Sequence, residues 1–208
     1  MRILVFGAAG RTGRLVVEKA LGHGHDVTAF IHTTPLSATD ARLTMCVGDV
    51  RDFDAVSSAV AGHSAVAFAL SQESGAGSDI HEVGIANIMH AMAEKSVTRL
   101  AAVSAAGAFD RSSKKLPLGY RALVATSLRK SYDDLEAMER RIMASDLDWT
   151  IVRPVGLSDD PPSGDYRISR DGSLLPKARR VSRGDVAALV VKALETDTYW
   201  RRAVVISG

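Results

Sequence analysis

The stretch Gly7-Ala8-Ala9-Gly10-Arg11-Thr12-Gly13, directly behind the apolar run Ile3-Leu4-Val5-Phe6, constrains this chain more than any other. A strand buried on both faces of a parallel sheet reads as an unbroken apolar run. A tight turn from strand to helix needs glycine where a side chain would clash or φ must be positive. Together they read as strand, glycine turn and helix N-terminus in immediate succession. Such a helix start points unpaired N–H groups and the positive end of its dipole at whatever sits above the turn, and a pyrophosphate is the expected occupant.

The rest of the chain repeats the alternation. Arg14 to Leu21 carries an apolar helical stripe (Leu15, Val16, Ala20, Leu21) ended by Gly22 and Gly24. Val27–Ile31 and Leu43–Val47 read as strands two and three, and Asp52 is placed to cap a helix from Phe53 to Val60. Ala65–Leu70 reads as strand four, Ile80–Ala93 as a helix with Ile85, Ile88, Met89 and Met92 inward, and Arg99–Ser104 as strand five. A long helix starting near Ala122 or Tyr132 and ending at Ala144 precedes strand six, Trp149–Val152. The tail departs from the pattern: Asp159 to Gly164 is turn-rich, Tyr166–Ser169 reads as a short strand, Arg183 opens a helix to Leu194, and Val204–Ile206 completes the sheet. Strands and helices alternating at this spacing imply an α/β fold, a Rossmann-like doubly wound parallel sheet in a three-layer α/β/α arrangement. No repeat or linker marks a boundary, so residues 1–208 are expected to form a single domain, with loops at 71–79, 105–132 and 155–170 framing a pocket.

Such sheets bind ligands beyond the carboxyl ends of their strands. Polar and glycine-rich residues follow six strands here: Gly7 to Gly13, His32-Thr33-Thr34, Asp49-Val50, Ser71 to Ser78, Ser104, and Pro154-Val155-Gly156. With the alternation behind it, the Gly-x-x-Gly-x-x-Gly turn points to a dinucleotide. Without a Lys-Ser or Lys-Thr ending it is no nucleoside-triphosphate loop. An acid after strand two would bond the ribose 2′-hydroxyl of NAD, but that position holds Ile31-His32-Thr33-Thr34. His32, Thr33 and Arg11 instead offer donors to a 2′-phosphate, which favours NADP(H). Asp49 and Val50 are placed to meet adenine, although Asp49 capping its own turn remains open. Asn87 reads as a satisfied buried amide that holds a neighbouring loop. The expected cofactor contacts are Gly7, Ala9, Gly10, Arg11, Thr12, Gly13, His32, Thr33, Asp49, Val50, Ala69, Leu70, Ser71, Ser104 and Pro154.

The formal charge of +2, from 26 basic and 24 acidic residues, provides no global attraction to nucleic acid or membrane. Arg179-Arg180 with Arg183, and Arg201-Arg202, read as solvated surface. The one cysteine, Cys46, excludes an intramolecular disulfide. No apolar run approaches about 18 residues and no signal-like segment opens the sequence, so a cytoplasmic protein is expected, a monomer or small homo-oligomer. None of the six histidines falls in a His-Glu-x-x-His pattern, so no metal chemistry is expected.

Over nearly its whole length the chain resembles the atypical short-chain dehydrogenase/reductases of the NAD(P)H-binding, NmrA-like group. In pattern it is closest to the biliverdin reductase B/flavin reductase branch. The residues that carry this are Gly7 to Gly13, Gly48-Asp49-Val50, Gly84 to Met92, Val103-Ser104-Ala105, Asp133-Asp134, Trp149 to Pro154 and Ser182 to Ala187. The resemblance implies a reductase carrying hydride from NADPH to a flat conjugated acceptor, a flavin, quinone or tetrapyrrole. There are departures. No Tyr-x-x-x-Lys occurs, since Glu136 lies four residues after Tyr132 and Val124 four after Tyr120. The branch's histidine after strand six is replaced by Pro154-Val155-Gly156, its arginine after strand two by His32, and one near the fourth strand's loop by Glu73.

A flavin or quinone takes its proton from solvent, so a dedicated acid is dispensable for those acceptors. Ser104 is the candidate catalytic residue, hydrogen-bonding acceptor or nicotinamide, with bonding to its own turn as the alternative. Arg153 reads as a structural anchor. The NmrA-like resemblance also allows a non-catalytic NADP(H) sensor that binds a partner protein, which the absent tyrosine favours. A sugar-nucleotide epimerase would need the missing Tyr/Lys pair.

Overall fold

The computed structural model describes residues 1–70, 79–108 and 128–208. The first half alternates β1 (Arg2–Phe6), α1 (Arg11–Gly22), β2 (Asp26–Ile31), β3 (Leu43–Val47), α2 (Phe53–Val60), β4 (Ala65–Phe68) and α3 (Ile80–Glu94). The second half continues with β5 (Arg99–Val103), α4 (Arg129–Met143), β6 (Asp148–Pro154), β7 (Leu157–Ser158), β8 (Arg167–Ser169), β9 (Val181–Ser182), α5 (Arg183–Glu195) and β10 (Arg202–Ser207).

Eight strands form one sheet in the order β3-β2-β1-β4-β5-β6-β10-β8. The order reverses beside β1, which pairs in parallel with both β2 and β4: Val5 stands opposite Ala29 on one side and Ala67 on the other. The alternation of side chains along a strand explains why Ile3 to Phe6 is continuously apolar. Ile3 and Val5 pack with Val16, Val17 and Ala20 of α1 and with Leu189 and Val190 of α5. Leu4 and Phe6 pack on the other face with Val56 of α2, Ile85 and Ile88 of α3, and Met138 of α4. The result is the three-layer, Rossmann-like arrangement that the alternation implies.

Local signals set the helix ends. The Asp52 carboxylate caps α2 by accepting from the Asp54 and Ala55 amides, and Ser182 caps α5 by accepting from the Asp185 amide. The start of α3 has no such residue of its own. Asp134, reaching across from α4, accepts the His81 and Glu82 amides at 3.1 and 2.8 Å.

Three features differ from the sequence reading. The sheet is not wholly parallel, because Tyr166–Ser169 contributes β8, which runs antiparallel to β10 at the edge. Leu157–Ser158 and Val181–Ser182 form a separate two-stranded sheet. Strand β3 lies at the opposite edge, so its apolar run is largely uncovered, with Met45 and Val47 exposed. The long helix before β6 is described only from Arg129. Among the described residues, no helix is long and apolar enough to cross a membrane.

Candidate functional site

The glycine turn follows from close packing. Gly7 has φ +75°, and a Cβ there would lie 2.6 Å from the Ala69 carbonyl oxygen and 2.7 Å from the Leu70 nitrogen. A Cβ on Gly13 would come within 2.0 Å of the Gly7 carbonyl oxygen, so α1 packs directly on the turn. The Gly10 amide donates to the Gly7 carbonyl at 3.0 Å, and Gly10 enters α1 in an extended conformation. Among the described residues no side chain caps α1, and its first turn holds no acid. Its first amides are therefore left for an anion.

Two clefts meet at this turn and share Ala9, Gly10 and Leu70. The first, of about 220 Å³, runs past Phe30 to Thr34 and Gly48 to Arg51. His32, Thr33, Asp49 and Val50 are thus brought together with Thr34 and Arg51. Asp49 accepts the Arg51 amide at 2.9 Å, so it caps its turn while still facing the cleft. His32 Nε2 lies 3.9 Å and the Arg51 guanidinium 4.0 Å from its carboxylate. Asn87 does what its setting in α3 suggested, donating to the carbonyls of Val50 and Arg51 at 2.9 and 3.1 Å. Gly84 brings α3 against Val50, since a Cβ there would stand 3.1 Å from Val50 Cγ2.

The second cleft, of about 500 Å³, is bounded by Ala9 to Thr12, Ala69, Leu70, His81, Val103, Ser104, Ser131, Leu135, Leu157 and Arg183. Ser104 sits just past β5, only 7% exposed, and its Oγ has no hydrogen-bond partner among the described residues. Buried hydroxyls are normally bonded, and this one belongs to a residue that borders the cleft. Facing the same cleft, His81 is clamped between Asp134 Oδ2, 2.7 Å from its Nδ1, and the Leu70 carbonyl, 3.2 Å from its Nε2. The Asp134 side chain is fully buried. This pair locks α3 and α4 to the end of β4.

Arg11 lies on the second cleft rather than the first, where its guanidinium is 3.3 Å from Asp159. Asp159 also accepts from Arg183 at 2.6 Å, so one carboxylate joins the starts of α1 and α5. The loop carrying it is held by Asp185, which accepts the amides of Ser163 and Gly164 at 3.1 and 2.9 Å. Partial burial pushes the Asp185 carboxyl up, but bonds from Gly164, Ser182 and Ser163 outweigh this and hold it below its usual range. Arg153 is a structural anchor, paired with the fully buried Glu139 at 3.0 Å. Pro154 is buried at the end of β6, and its carbonyl accepts the Ala106 amide at 2.9 Å. Pro154 borders neither cleft. Ser71 and most of the loops at 71–79 and 105–132 lie outside the described residues.

The sequence reading missed Arg51, His81, Asp134, Asp159 and Arg183 as site residues. Arg51 adjoins the Asp49-Val50 motif and was within reach of it. His81 and Asp134 meet only through the packing of α3 on α4.

The chain is 28% identical to an uncharacterised chloroplastic protein of Arabidopsis thaliana over 207 residues, covering 93% of this chain and 71% of that protein. Mycobacterial proteins match at 34% over 100 residues, and that match spans only 12% of their length. Among solved structures, a Veillonella parvula short-chain dehydrogenase/reductase in complex with NADP superposes with a TM-score of 0.83 at 20% identity, covering 100% of this chain and 94% of that one. A Streptococcus pneumoniae protein proposed to be an NADH-flavin reductase superposes with a TM-score of 0.82 at 19% identity, covering 100% and 99%. These likenesses establish the fold, as expected for an atypical short-chain dehydrogenase/reductase. Residues 7–197 match the family model described as NAD(P)H-binding, and the chain belongs to that NAD(P)H-binding family.

Proposed function

We propose that this protein is an NADPH-dependent reductase that passes hydride to a flat conjugated acceptor such as a flavin, quinone or tetrapyrrole. The observation that carries this reading is the buried Ser104 Oγ, without a hydrogen-bond partner among the described residues, at a cleft continuous with the start of α1. The residues present suit a dinucleotide: glycines allow the backbone close to a pyrophosphate, and the first amides of α1 hold its charge. NADPH, when bound, supplies the hydride from nicotinamide C4.

The protein's part is to place and enclose. The Ser104 hydroxyl would donate to the nicotinamide amide or to the acceptor's carbonyl. Val103, Leu135 and Leu157 supply an apolar wall that keeps water from the reacting faces. His81, held at both ring nitrogens, fixes the Leu70 carbonyl and with it the rim that the two clefts share. At the other end, Arg51 with His32, Thr33 and Thr34 would hold a 2′-phosphate in the first cleft, the role expected of Arg11. The NADP complex of the Veillonella protein supports the cofactor in this reading, and the NADH-flavin reductase activity proposed for the streptococcal one supports the acceptor.

A second reading, an NADP(H) sensor that does not turn over, rests on the absence of Tyr-x-x-x-Lys and on Tyr132 being buried, 6% exposed. Binding and turnover measured side by side test the proposal. The reductase is expected to bind NADPH more tightly than NADH and to oxidise it when FMN or dichlorophenolindophenol is added. NADPH that binds and stays reduced with every acceptor identifies a sensor, and tighter NADH binding overturns the cofactor assignment.

A further inference from the structure

We propose that His23, His25 and Glu195 form a binding site for one Zn²⁺ ion, at the end of the fold opposite the glycine turn. His23 Nδ1 and His25 Nε2 both face Glu195 Oε1, at 2.8 and 2.7 Å, and the three atoms lie within 4.8 Å of one another. Zinc binds nitrogen and carboxylate oxygen at about 2.0–2.2 Å, which places tetrahedral ligands about 3.3 Å apart. Side-chain adjustments of an ångström or less bring the three atoms to that spacing. Two imidazoles and one carboxylate are also a donor set that zinc accepts while keeping a fourth position for water. That position is available here, because His23 is 42% and Glu195 26% exposed.

The backbone prepares this arrangement. Helix α1 ends in a turn where the Gly24 amide donates to the Leu21 carbonyl and the His25 amide to the Ala20 carbonyl, with Gly24 at φ +83°. This turn sets His23 and His25 on either side of the glycine, facing the last residue of α5. Helices α1 and α5 pack against each other through the core, and both end at this cluster. The negative dipole ends of the two helices favour a cation. Histidines two residues apart and a glutamate 170 residues away match no local motif, which is why sequence patterns showed no metal site. The 12 residues of α1 rise about 1.5 Å each, so the cluster lies roughly 18 Å from the glycine turn. The ion is therefore a clamp between α1 and α5 and takes no part in hydride transfer.

Zinc displaces the protons that the imidazoles now share with Glu195, so the full-length, untagged chain, stripped with a chelator and dialysed at pH 7.5, is the sample to test. Competition of Zn²⁺ against a chromophoric chelator measures stoichiometry and affinity, and thermal melting measures the linked stabilisation. One zinc per chain is expected, with a melting temperature that rises with zinc concentration. His25→Ala and the near-isosteric Glu195→Gln should each weaken binding by about tenfold or more, circular dichroism having shown both folded. No stoichiometric uptake, or equal uptake by wild type and Glu195→Gln, would overturn the proposal and leave a hydrogen-bonded His–Glu–His cluster.

Discussion

Ser104→Ala separates a ligand-binding hydroxyl from a structural one, because the two roles predict opposite changes in stability. In the cofactor-free protein, Oγ is buried and bonded to nothing among the described residues. An unsatisfied buried hydroxyl costs about 1–3 kcal/mol, while deleting one oxygen forfeits only a few weak contacts. The variant is therefore expected to gain roughly 1 kcal/mol, which for a chain of this size raises the melting temperature by about 2–4 °C. With saturating NADPH the gain should shrink or reverse, since the variant lacks the bond that the ligand completes. Turnover should fall about tenfold, equivalent to about 1.4 kcal/mol of lost transition-state stabilisation. Calorimetric melting with and without NADPH, together with steady-state rates, checks both halves. A variant that melts lower without cofactor and turns over like wild type would refute the argument and make Ser104 a turn residue.

Asp134→Ala removes three bonds from a buried carboxylate, those from His81 Nδ1 and from the His81 and Glu82 amides. A loss of about 3 kcal/mol is expected in urea unfolding, and a loss below about 1 kcal/mol would contradict a clamp between α3 and α4. Arg51→Ala should weaken NADPH binding about tenfold and leave NADH nearly unchanged; equal losses for both would remove Arg51 from the 2′-phosphate site. Burial, followed by the Arg2 charge, pushes the His63 imidazole below its usual value, and its buried Nδ1 has no partner among the described residues. The unfolded chain then binds this proton more readily, so stability is retained above the unfolded value of about 6.5 and falls as pH drops below it. His63→Asn should flatten the slope of stability against pH in that window, and an unchanged slope would exclude His63 as its source.

What could be read before the structure was what local chemistry encodes. The apolar run of β1, the glycines that let α1 pack on the turn and the Asp52 cap each report on their own neighbourhood, and each sits where expected. Asn87 was legible for the same reason, an amide among apolar neighbours that had to find carbonyls nearby. Sheet position was not. Leu43–Val47 is apolar enough for a central strand, yet it lies at an edge with Val47 exposed, because periodicity reports strand formation and not which strands flank it. Groups joined across long separations were equally invisible, as with His81 and Asp134 or His23, His25 and Glu195. Arg11 lies beside the turn in sequence, but Asp159, 148 residues away, draws its guanidinium to the other cleft.

The central claim is that the clefts meeting at Gly7 to Gly13 hold NADPH in a position to give up its hydride. Anaerobic mixing of a catalytic amount of the protein with excess NADPH and FMN tests this most directly, because oxidation of the nicotinamide and reduction of the acceptor are both visible in the absorbance. The two are expected to change together in a one-to-one ratio over many turnovers. NADPH that stays bound and reduced while FMN stays oxidised would contradict it.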